Sequence, residues 1–117
     1  MSIEQVNTVD AISVDKSTGE VVMTIADHLP WNKDEPETEH EHMLLLQEKI
    51  NAYLGFVESG EILKSYPVSQ GKKVRIEVIG KYQLSTHAEK FFSRARGIVQ
   101  DAGVKLDFKL HVATQDT

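Results

Sequence analysis

Residues 104–112 read VKLDFKLHV, and apolar and polar residues alternate there without a break. Successive side chains of a strand point to opposite faces. Val104, Leu106, Phe108, Leu110 and Val112 therefore share one face, and Lys105, Asp107, Lys109 and His111 the other. A strand with one apolar face needs another layer to cover it. KKVRIEVIG (72–80) repeats the pattern, with Val74, Ile76 and Val78 inward. VDAISVDKSTGEVVMTIAD (9–27) reads as a hairpin. Ile12 and Val14 alternate with Asp10 and Lys16 on one arm, Val21, Met23 and Ile25 with Val22, Thr24 and Ala26 on the other. Gly19 in the turn supplies a positive φ.

The covering layer has a different period. From Glu39 to about Ser59, Met43, Leu46, Ile50, Tyr53, Leu54 and Val57 recur every three or four residues, the spacing of one helix face. Gly60 is the expected stop. A second helix runs from Thr86 to Ala102, with Ala88, Phe91, Phe92, Ala95, Ile98, Val99 and Ala102 on one face. ILKSYPVSQG (62–71) reads as a plain connection. The order ββαβαβ predicts an α+β two-layer sandwich, a four-stranded mixed sheet with two helices on one face. Strand order stays open. At 117 residues and 40% hydrophobic content, the chain suits a single domain over 1–117. Residues 1–8 and 113–117 are expected as flexible tails. Leu46, Ile76, Phe91, Leu106 and Phe108 are the expected core.

The absence of cysteine removes disulfides, thiolate metal sites and cysteine nucleophiles. No GxSxG elbow, GxxxxGK[ST] loop or GxGxxG turn occurs. The longest apolar run, MLLL, is far too short to cross a bilayer, and no signal peptide is apparent. A cytoplasmic protein with no membrane partner is the expectation. Charge is uneven: residues 1–63 hold 13 Asp and Glu against 3 Lys and Arg, and residues 64–117 hold 5 against 10. The halves either neutralise each other or leave a bipolar surface. A net charge of −5 disfavours nucleic acid as a partner. The basic set Lys72, Lys73, Arg75, Lys81, Lys90, Arg94 and Arg96 nevertheless defines that alternative.

The densest polar stretch is DHLPWNKDEPETEHEHMLLLQEKI (27–50), with three of the five histidines. TEHE (38–41) reads as a capping box, Thr38 with Glu41, and THAE (86–89) repeats it with Thr86 and Glu89. His40 and His42 lie about 200° apart on a helix, so they share no metal there. A metal- or ligand-dependent enzyme with Asp27, His28 and His42 is the alternative this stretch allows. No cofactor, metal or catalytic residue is expected otherwise. Trp31, the one tryptophan, is either a lid over the core or an exposed anchor.

VDAISVDKSTGEVVMTIADHLPW, followed by EHEHMLLLQEKINAYLGFVESGEI, resembles a family of small bacterial cytoplasmic proteins sharing a domain of unknown function. The resemblance covers about residues 9–62. It implies a compact α+β domain and transfers no catalytic residue or ligand. The residues themselves point to a non-enzymatic module that binds a basic protein or a second copy of itself. Its expected contact residues are Leu29, Trp31, Asp34, Glu35 and Glu37, on one loop.

Overall fold

The computed structural model describes residues 11–111. The tails expected at 1–8 and 113–117, together with Asp10 and Val112, lie outside that range. Two strands open the fold, β1 (Ala11–Val14) and β2 (Val21–Asp27). They are followed by α1 (Pro36–Glu58), α2 (Glu61–Ser65), a 3₁₀ turn (Pro67–Ser69), β3 (Val74–Gly80), α3 (Thr86–Asp101) and β4 (Val104–Leu110). The expected α+β class and element order hold, with one addition. The stretch read as a plain connection folds into α2 and the 3₁₀ turn, because Ile62 is drawn into the core at 4% exposure.

The sheet runs β1-β2-β3-β4. β1 pairs antiparallel with β2, while β2–β3 and β3–β4 are parallel. Both crossovers step one strand in the same direction, so α1 and α3 cover the same face. The alternation in β3 is visible in its burial, with Val74, Ile76 and Val78 inside. Val21, Met23, Ile25, Leu46, Ile50, Tyr53, Phe92, Val99 and Leu106 complete the centre of the core.

Two expected core aromatics are only half-buried. Phe91 stands at the edge of the α1–α3 groove, and Phe108 lies on an edge strand that has a neighbour on one side alone. The Phe108 ring rests over Gly80, where an added Cβ would come within 2.6 Å of its Cε1 atom. A side chain at position 80 would force the Phe108 ring to move, so glycine suits this close approach.

Both helix starts differ from the expected capping boxes. α1 begins earlier, with Glu35 as N-cap, no side-chain cap bond, and Pro36 in the first turn. Proline's fixed φ and missing N–H suit that position, so the chain turns helical before Thr38 is reached. At α3 the cap is Ser85, not Thr86: its Oγ accepts from the Ala88 amide at 3.1 Å. The expected stop after α1 is present, with Gly60 in the left-handed region at φ 83°.

The other sheet face carries charge. Arg75 Nη1 donates to Glu20 Oε1 at 2.7 Å and Nη2 to Asp15 Oδ2 at 3.2 Å. Glu77 and Asp107 stand at 4.0 and 3.9 Å from the same guanidinium, and Lys105 pairs with Glu20 at 3.1 Å. The Asp15 carboxyl is held below the usual carboxylate range by the Ser17 amide and then by Arg75. Glu20 is lowered chiefly by the hydrogen bond from Lys105, against the opposing cost of burial.

Candidate functional site

Helices that join parallel strands begin where the strands end. The carboxyl ends of β2, β3 and β4 therefore gather the starts of α1 and α3 and the loop from His28 to Glu35. Asp27, the last residue of β2, turns inward toward the helices and is 3% exposed. Its Oδ1 accepts from the Leu29 amide at 3.1 Å, which bends the chain back over the core. Its Oδ2 lies 2.6 Å from His42 Nε2, a buried contact between β2 and the second turn of α1.

The other His42 nitrogen fixes the loop from above. Nδ1 stands 3.1 Å from the Pro30 carbonyl oxygen. A carbonyl only accepts, so Nδ1 is the donor in that bond and one proton lies between Nε2 and the Asp27 carboxylate. The Trp31 ring stacks on the imidazole at a centroid distance of 3.5 Å and an interplanar angle of 15°. Trp31 is half-buried, with one face of its ring covered by His42. Beyond it the Asp34 amide donates to Asn32 Oδ1 at 3.0 Å and the Glu35 amide to the Asn32 carbonyl at 3.0 Å. These bonds hold a tight turn that leads into Pro36.

Of the five expected contact residues, Leu29 is half-buried against the core and Trp31 half-buried on His42. Asp34, Glu35 and Glu37 are all exposed. They are not all on one loop as expected: Asp34 and Glu35 lie in the turn before α1, whereas Glu37 is in the first turn of that helix, because Pro36 starts it early. The alternative set of Asp27, His28 and His42 is only partly assembled: the first and last touch, while His28 lies in a groove on the open face. No group of three His, Asp or Glu side chains among the described residues is placed to hold a metal ion. Both His42 nitrogens are engaged and its ring is covered, a geometry suited to holding the loop.

The basic set is dispersed. Lys72 and Lys73 precede β3, Lys81 follows it, and Lys90, Arg94 and Arg96 line α3. Arg75 is occupied by carboxylates on the open face.

Sequence reasoning missed two buried polar groups on α1, Glu39 and Lys49, which with His42 are all 2% exposed or less. Their spacing carried the signal. Residues 39, 42, 46, 49, 50 and 53 form one stripe at helical intervals, and the polar members ride on it with Leu46, Ile50 and Tyr53. Glu39 Oε1 meets His87 Nδ1 at 3.3 Å, joining the first turns of α1 and α3, while Oε2 has no partner. The positive ends of both helices favour an anion there. Lys49 Nζ lies 5.5 Å from the Tyr53 ring centroid, and the Tyr53 hydroxyl donates to the Thr24 carbonyl at 2.9 Å.

Among the described residues no helix is long and apolar enough to cross a membrane. No curated protein and no solved structure matches the chain. The model of a family of unknown function, DUF6572, matches residues 1–112, and the chain belongs to that family.

Proposed function

We propose that this domain binds protein through the segment from Leu29 to Glu37, the loop before α1 and the helix's first residues. The observation that carries this reading is the exposure of Asp34 and Glu35 on a loop tied at its base by Asp27, His42 and Trp31, with Glu37 exposed beside them in the first turn of α1. A pre-formed loop loses little freedom on binding, which favours affinity. Three carboxylates beside a half-buried indole suit a basic partner surface. The charges would speed encounter at low salt and Trp31 would supply apolar contact. The partner is a basic cytoplasmic protein or a second copy of this chain.

Immobilised wild-type protein and an Asp34→Lys, Glu35→Lys, Glu37→Lys variant, challenged with the same native lysate at low salt, test this. A protein retained by the wild type, lost by the variant, and shifting the amide signals of 29–37 in a purified titration supports the proposal. Light scattering on the pure chain separates self-association, which should weaken with salt. Equal retention by both baits, with no salt-dependent association of the pure chain, overturns it.

A further inference from the structure

A groove of about 540 Å³ opens on the sheet face away from the helices, at the carboxyl ends of β2, β3 and β4. The parallel ladder continues one residue past the strands, with the Lys81 amide donating to the Asp27 carbonyl at 3.0 Å and the His111 amide to the Gly80 carbonyl at 2.8 Å. Register therefore places His28, Lys81 and His111 in one row across three strands. Neighbours in such a row are about 4.8 Å apart. The row behind it offers Ala26 and Ile79 as an apolar floor, with Lys109 in register beside Ile79.

Among the described residues Lys81 is the one cationic donor lining this groove, Tyr82, Gln83 and the two imidazoles can each donate or accept, and the one carboxylate is Asp27 at its rim. That carboxylate is already taken by His42 and the Leu29 amide. The Lys81 ammonium lies 5.9 Å from the Tyr82 ring centroid, and no carboxylate pairs with it among the described residues. Tyr82 is 43% exposed and flanks the cavity. The volume falls within the range of small-molecule sites.

From this juxtaposition we infer that the groove is a binding site for a small organic anion, a flat apolar body carrying one carboxylate or phosphate. The body lies on Ala26 and Ile79 beside Tyr82, and the anionic head meets Lys81 within the row of imidazoles. The site is independent of the acidic loop, which lies on the helix side of the sheet, so charge reversal at Asp34 and Glu35 leaves it intact.

NMR titration of the full chain with phenyl phosphate and with benzoate tests the inference and distinguishes a tetrahedral from a planar head. Inorganic phosphate and phenol serve as the two halves. Either acid should saturate, shift the amides of residues 26–28, 79–83 and 110–111, and bind at least about tenfold tighter than its halves. Lys81→Met, at an exposed position beyond the strand, should weaken it about tenfold with the melting temperature unchanged. The inference is overturned by any one of three results. These are no saturable shift from either acid, inorganic phosphate binding as tightly as phenyl phosphate, or unchanged affinity in Lys81→Met.

Discussion

Replacing His42 by alanine removes four things together: the contact with Asp27, the bond to the Pro30 carbonyl, the stack under Trp31, and the filling of a site where His42 is 2% exposed. The largest cost is what remains behind. The Asp27 side chain, 1% exposed, keeps its Leu29 amide bond but loses its one side-chain partner among the described residues. Breaking a buried pair by removing one member typically costs about 3–5 kcal/mol. The lost stack adds about 0.5–1.5 kcal/mol, the range for aromatic pairs. His42→Ala should therefore lose about 4 kcal/mol or more, a large share of the stability of a domain this size. Urea unfolding followed by far-UV circular dichroism measures it, provided the slope stays constant between variants. Trp31, the one tryptophan, reports the local event: its emission should move to the red in the folded variant as the ring loses its cover. Asp27→Asn/His42→Ala should recover part of the loss, since the stranded charge is then absent. A loss below about 1 kcal/mol, the range of surface substitutions, would refute the reasoning. It would mean that the loop is held by something other than this pair.

Gly80→Ala should cost about 1–3 kcal/mol through overpacking against Phe108, and Phe108→Leu in the same chain should reduce that cost, as read by melting temperature. Asp15 and Glu20 carboxyls are held below their ordinary range in the fold, so they stabilise it at neutral pH. That contribution is lost as pH falls below about 4 through their folded values. The Asp15→Asn/Glu20→Gln variant should accordingly show a shallower loss of stability between pH 5 and pH 3. Arg75→Met should destabilise by about 1–3 kcal/mol at pH 7, because Glu20 stays largely buried with fewer donors; a neutral result in urea unfolding would remove the network from the account.

The alternation in β3 and β4 and the helical recurrence in α1 and α3 were legible because each element buries one face only, and one-sided burial writes a period into the sequence. The order of the strands was not, since it depends on which neighbours the crossovers reach and no side-chain period records that. Phe108 shows a finer limit: its place in the alternation was right, but its depth depends on how far α3 extends over an edge strand. The capping boxes failed because Pro36 and Ser85 offered earlier starts that compete on equal local terms. At the loop, Trp31 and the carboxylates stood out by composition. Asp27 and His42 were grouped from sequence, but their forming a buried pair without His28 was not legible, since His42 is fifteen residues away in the chain and meets Asp27 only after α1 folds back on the sheet.

Each strand in this sheet lies beside its neighbour in sequence, and the two crossovers differ in length. The segment joining Asp27 to Val74 is roughly twice that joining Gly80 to Val104. Closing a loop twice as long costs about 0.6 kcal/mol more in chain entropy, a small bias that favours β3–α3–β4 as the first parallel unit to close, while the β1–β2 hairpin closes on its own short turn. Once β3 is held there, its free edge is a template for β2 and the hairpin that β2 carries. The molecule then grows from its carboxyl-terminal half toward its amino-terminal hairpin, and the acidic loop takes its shape only when β2 and α1 dock.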